Sequence, residues 1–264
     1  MLTNLTVMIA VGCACFQTTA KEYYDRGIAS SDKFEWDQAI VDFSETIRLD
    51  PKHVKAHVNR GVCRVNKQEP EKALVDLDEA IRLDPGFAFA YEVRGNYLLQ
   101  NGEWDKALAD LEESIRLDPE NSSAYLRRGS NWNELGDWDK AIADSDEALR
   151  LKPGMSSAYY VRGFAWHKKQ DWDRAMSDYD EAIRLDPNYV AAYINRGVLW
   201  IAKAEWEKAI GECHRAASID PGIALTYHVW ANAWILQSDW PMAFADALQA
   251  LRQKAIDLAE PAPR

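Results

Sequence analysis

His53 and His57 stand four residues apart, a spacing at which two imidazoles on one helix face can hold a metal ion. The intervening Val54-Lys55-Ala56 lacks the glutamate of a zinc protease, and His57 takes the phase that tyrosine holds further along the chain. Cys213 and His214 are sequence neighbours, so on a helix they point about 100° apart and make no nucleophile–base pair. Neither a Gly-rich phosphate loop nor a Ser-centred elbow occurs. The 42 Asp and Glu residues mostly recur at a fixed period, which argues for scaffold duty. The expectation is therefore no catalytic residue, no metal site, no cofactor and no enzyme.

The elements that would carry any site are set by that period. Asp50-Pro51, Asp84-Pro85, Asp118-Pro119, Asp186-Pro187 and Asp220-Pro221 mark a 34-residue repeat, with Lys152-Pro153 in step. Arg26-Gly27, Arg60-Gly61, Arg94-Gly95, Arg128-Gly129, Arg162-Gly163 and Arg196-Gly197 keep the same period. Two unrelated landmarks locked together mean stacked supersecondary units. Within a unit, Tyr125, Gly129 and Trp132 lie at i, i+4 and i+7, one face of a helix. Trp172, Ala175, Tyr179 and Ala182 repeat the device on a second helix. Short turns such as Leu135-Gly136-Asp137 supply a left-handed glycine and an acidic cap between the two. Proline then stops the second helix.

This order of Tyr, Gly, a bulky residue, turn, Ala, a second apolar residue, a small residue and Pro resembles the tetratricopeptide repeat (TPR) family. The resemblance implies an all-α fold, an α-solenoid of about seven helix hairpins in a right-handed superhelix. It covers residues 20–257 in units 20–53, 54–87, 88–121, 122–155, 156–189, 190–223 and 224–257, with a tail at 258–264. The edges depart from the pattern: Ser30 takes a bulky place, Pro70 a tryptophan place, and Trp230-Ala231 and Ala255 replace Arg-Gly and Pro. The last helix is expected to run through Leu258. No long linker divides the chain, so one repeat domain is expected.

The resemblance also implies a function. In the family, first helices of successive units line a concave groove that takes a partner segment. The corresponding places in the third unit are polar, namely Glu92, Asn96, Leu99 and Gln100. In the fifth they are Tyr160, Phe164, His167 and Lys168; in the sixth Ile194, Val198 and Ile201; in the seventh His228, Asn232, Ile235 and Leu236. The groove is thus expected to turn apolar and aromatic towards the C-terminus, unless these side chains pack between neighbouring first helices instead. Chaperone-adaptor members grip a C-terminal carboxylate with a lysine whose place here holds Tyr24, Val58, Glu92, Leu126, Tyr160, Ile194 and His228. That clamp is not expected. The reading is a non-catalytic protein- or peptide-binding scaffold, with a self-assembling structural protein of the cell envelope as the alternative.

A net charge of −11 disfavours nucleic acid and anionic lipid as partners of the bulk surface, because phosphate binding needs clustered Lys and Arg. An apolar or basic polypeptide is the expected partner, and oligomers are allowed. The in-phase Trp36, Trp104, Trp138, Trp172, Trp206 and Trp240 are read as interhelix packing. Each repeat Arg is expected to pair with one of Asp42, Asp76, Asp110, Asp144 and Asp178, a solvated charged face being the alternative. Cys63 and Cys213 lie four units apart, too far for a disulfide, which needs Cα atoms within about 7 Å, and are read as buried thiols.

Residues 1–20 carry no charged side chain, and Leu5–Phe16 is nearly all apolar. That length fits an export signal and falls short of a membrane span. Cleavage after Thr18-Thr19-Ala20 is one expectation. Ala10-Val11-Gly12-Cys13 also looks like the lipobox of bacterial lipoproteins, which implies lipidation at Cys13 and a membrane contact only through that anchor. The absence of a preceding Lys or Arg leaves a capping helix, and hence a cytoplasmic protein, as the alternative to the cell envelope.

Overall fold

The computed structural model describes residues 18–236. Among these residues there are thirteen α-helices and no strand. Six hairpins are complete: α1 Ala20–Asp32 with α2 Trp36–Leu49, α3 Val54–Asn66 with α4 Pro70–Leu83, and α5 Ala88–Gln100 with α6 Trp104–Leu117. Then come α7 Ser122–Leu135 with α8 Trp138–Leu151, α9 Ser156–Lys168 with α10 Trp172–Leu185, and α11 Val190–Ala202 with α12 Trp206–Ile219. Helix α13, Ala224–Leu236, opens the seventh. Its expected partner helix, Trp240 and the run through Leu258 lie outside the described residues, as do the N-terminal export and lipidation expectations, Cys13 included. The helices gather into two compact units, up to Asp84 and from Pro85 onward. This boundary falls at one of the Asp-Pro landmarks, inside the array that the sequence reads as continuous.

Within each hairpin the small residues bring the helices together. The repeat alanines Ala39, Ala73, Ala107, Ala141, Ala175 and Ala209 are all fully buried. A Cβ on Gly129 would stand 3.3 Å from the carbonyl oxygen of Ala141, so the first helix rests on the backbone of the second. Sixteen residues beyond each of the first five repeat glycines stands a side chain it faces, and on Gly27 a Cβ would come 2.7 Å from the buried ring of Phe43. In the second unit, first helices of successive hairpins touch (α5 with α7, α7 with α9, α9 with α11, α11 with α13), whereas the described second helices do not touch one another. That unequal spacing curves the unit with its first helices on the inner side.

The repeat arginines form the expected ladder; its aspartates are buried and its guanidinium groups largely so, except at Arg26, which is open to solvent. Arg60, Arg94, Arg128 and Arg162 each donate two bonds of 2.6–3.0 Å to Asp76, Asp110, Asp144 and Asp178. Arg26 grips Asp42 the same way, and Arg196 reaches Glu212 at 2.8 Å. Several arginines also reach back to the preceding hairpin: Arg60 to Ser44, Arg162 to Asp146 and Arg196 to Asp180. One guanidinium thus ties its own hairpin closed and fastens it to its neighbour. In the seventh hairpin Trp230 stands in the arginine's place and His214 in that of the backward aspartate. Their rings meet edge-on with centroids 4.1 Å apart, so an aromatic contact replaces the ion pair.

The turns are less uniform than the sequence suggests. Gly102 and Gly136 take the left-handed conformation, but so do Phe34, Gln68, Gln170 and Ala204, where a Cβ is strained. Ala204→Gly is expected to stabilise the protein by about 1 kcal/mol, read as a higher urea midpoint at unchanged slope. An unchanged midpoint would mean the turn stores no strain. Asp137 and Asp171 cap α8 and α10 through Lys140 N and Arg174 N. Glu35, Glu69, Glu103 and Glu205, one methylene longer, make no side-chain cap; the last three pair with a lysine three residues on.

Candidate functional site

Along the inner side, the place three residues before each repeat glycine is committed to its neighbour helix. The hydroxyl of Tyr160 accepts from Asn195 Nδ2 at 2.9 Å, and its ring lies 5.1 Å from that of Tyr189 and 5.9 Å from that of Tyr179. Burial raises the Tyr160 phenol above its ordinary range. Two hairpins earlier the same register places Glu92 under Arg127, with further bonds from Asn121 Nδ2 at 2.8 Å and Ser123 Oγ at 2.6 Å. In the first unit Tyr24 accepts from Asn59 in like manner. Ile194 is only 3% exposed, packed in one cluster with Val229, Tyr227 and Trp230, so it does not reach the inner surface. Val198 and Ile201 are half-buried against that cluster, while His228, Asn232, Ile235 and Leu236 are exposed on α13.

Open surface lies between α5, α7 and α9. A depression of about 130 Å³ is lined by Ser130, Asn133 and Glu134 on α7 and by Tyr160, Val161 and Phe164 on α9. A wider one of about 410 Å³ is lined by Leu99, Gln100, Gly102, Trp104, Ser130 and Glu134. Ser130 and Glu134 belong to both. The ring of Phe164 meets Trp138 edge-on, and the Lys168 ammonium sits 5.0 Å above its centroid. His167 is half-buried; burial first, and then Lys168, holds its imidazole below the ordinary range.

Of the residues expected in the groove, the depressions collect Tyr160 and Phe164, with Leu99 and Gln100 of the third unit. They also collect Ser130, Asn133 and Glu134, which sequence reasoning passed over. These three lie one, four and five residues after Gly129, the register already used for the other first helices, so the signal was present. Of the in-phase tryptophans, Trp36, Trp138 and Trp172 pack against core clusters as expected, whereas Trp104 is 39% exposed and contributes to the wider depression.

The residues first considered for metal or nucleophile chemistry have structural partners. His53 caps α3 by accepting from Ala56 N at 3.1 Å, and His57 Nε2 donates to the Pro51 carbonyl at 3.2 Å. Tyr193 makes the corresponding bond to Pro187, which explains why His57 can stand in a tyrosine's phase. Cys63 and Cys213 are buried, and among the described residues neither forms a disulfide. Among the described residues no group of three His, Cys, Asp or Glu is placed to hold a metal, and no helix is long and apolar enough to cross a membrane.

Profiles of the tetratricopeptide repeat match residues 20–86 and 93–156, and a further one matches residues 156–189. Among curated proteins none matches. Solved structures resemble the fold. A tetratricopeptide repeat protein from Parabacteroides merdae is 18% identical with a TM-score of 0.70, covering 89% of this chain and 93% of that one. PilF of Pseudomonas aeruginosa is 19% identical with a TM-score of 0.70, covering 80% and 96%. YrrB, described as a TPR protein with an unusual peptide-binding site, is 25% identical with a TM-score of 0.54, covering 70% and 96%.

Proposed function

The chain belongs to the tetratricopeptide repeat family, and from that premise we propose that it is a non-catalytic scaffold whose inner face takes a segment of a partner protein. The observation that carries this reading is the pair of adjoining depressions between α5, α7 and α9, where Trp104, Leu99 and Phe164 offer apolar surface beside polar groups. Concave apolar surface with a few placed polar groups is the usual form of a binding site. The peptide-binding site named for YrrB is a precedent on a similar fold. The segment lies across three first helices, so its specificity comes from residues at the same register in successive repeats.

Selection of a displayed library of random decapeptides on the purified full chain tests the reading. Binders are expected whose affinity, measured by fluorescence anisotropy, falls by about 2 kcal/mol in Phe164→Ala, the loss typical of an interface anchor. The melting temperature should change little, because Phe164 lines a surface depression. Binders indifferent to Phe164, or a variant that loses binding only because it unfolds, would overturn the assignment of this face.

A further inference from the structure

Glu134 is a residue of the inner face that packing does not explain. It is exposed, and among the described residues its carboxylate has no hydrogen-bond or ion-pair partner. It sits in the last turn of α7, where the helix dipole disfavours negative charge. It lines both depressions, with Leu99 and Trp104 to one side and Phe164 to the other. Ser130 and Asn133 beside it offer acceptors as well, and the only electrostatic neighbour of its charge among the described residues is the Tyr160 phenol. Ser130 spends its proton on the Leu126 carbonyl at 3.1 Å, leaving only lone pairs. Asn133, 8% exposed, donates its amide to the Val161 carbonyl, and its Oδ1 has no donor. Lys168 stays over the Phe164 ring, and among the described residues it forms no ion pair with Glu134.

Any segment that covers both depressions covers this carboxylate too. An apolar cover would take Glu134 out of water without a partner, which is strongly unfavourable, and a neutral donor would leave its charge uncompensated. A lysine or arginine at that point would instead make a charge-assisted bond to it. Resting on the groove reading above, we propose that the occupant is a partner segment with one Arg or Lys flanked on both sides by apolar side chains, its cation seated on Glu134. The apolar flanks lie on Trp104 and Leu99 at one end and on Phe164 at the other. Lys168 disfavours a second cation at the Phe164 end, so the pattern is apolar–basic–apolar rather than polybasic. The net charge of −11 draws such a segment in at low salt.

The test uses the decapeptides selected on the full chain, each resynthesised with its central Arg or Lys replaced by Gln or Glu. Gln is expected to weaken binding about tenfold or more, and Glu further. Glu134→Gln should erase the difference between Arg and Gln peptides, and Glu134→Lys should make the Glu peptide the better binder. Glu134 is exposed and unpaired, so both variants should melt like the parent, which separates recognition from folding. If binders depend on Phe164 but bind equally with Arg or Gln, and equally to Glu134→Gln, this inference fails and the groove reading stands. If no binder depends on Phe164, the groove reading fails and takes this inference with it.

Discussion

Asp76→Ala is expected to cost the first unit about 3–5 kcal/mol, the loss typical when one member of a buried ion pair is removed. Asp76 is 1% exposed and receives two arginines, Arg60 in a two-bond grip and Arg64 at 2.7 Å. Both guanidinium groups are largely buried, with side chains 16% and 17% exposed. Removing the carboxylate leaves two cations facing each other without compensation, which is worse than losing one bond. Arg60 keeps Ser44 and Arg64 keeps the Lys72 carbonyl, and neither supplies a charge. Urea denaturation followed by circular dichroism measures the effect. A loss below about 1 kcal/mol would place the ladder among surface ion pairs that contribute little.

The second large effect is expected at Tyr179, the largest fully buried side chain among the described residues. It fills the space in front of Gly163, where a Cβ would stand 3.0 Å from its ring, and packs with Ala175, Ala182, Ala192 and Leu199. Tyr179→Ala should cost about 3–5 kcal/mol through the cavity left against a glycine that cannot fill it. Tyr179→Phe should behave oppositely. The hydroxyl is buried without a hydrogen-bond partner, and burial pushes its pKa far up. Removing it should be neutral or stabilise by up to about 1 kcal/mol, because no bond is lost and a desolvated polar group disappears. Phe43 already holds this place in the first hairpin, fully buried. A destabilised Tyr179→Phe would show that the hydroxyl has a partner worth keeping.

Much of the fold was legible because a repeat writes its rules many times. The 34-residue period gave the hairpins, and the helix ends follow the prolines and turns within a residue or two. The pairing of Arg60 with Asp76 could be read from its recurrence in other units, since a fixed spacing on two antiparallel helices repeats one geometry. The turn signal was weaker: glycine occupies the left-handed position at Gly102 and Gly136, but Phe34, Gln68, Gln170 and Ala204 accept it elsewhere because packed helices on both sides dictate the turn.

The site was less legible. By itself the sequence determined which positions lie on the inner side of each first helix, because that follows from helical phase relative to the repeat glycine. It could not tell which of those side chains remain free, because that depends on the residue they meet in the next repeat. Tyr160 is held by Asn195 and Glu92 by Arg127, each 35 residues away, and Ile194 is enclosed together with Val229. Glu134 meets no such partner. Tertiary structure alone made that distinction, since a side chain is exposed or committed only once a second helix has been laid against the first.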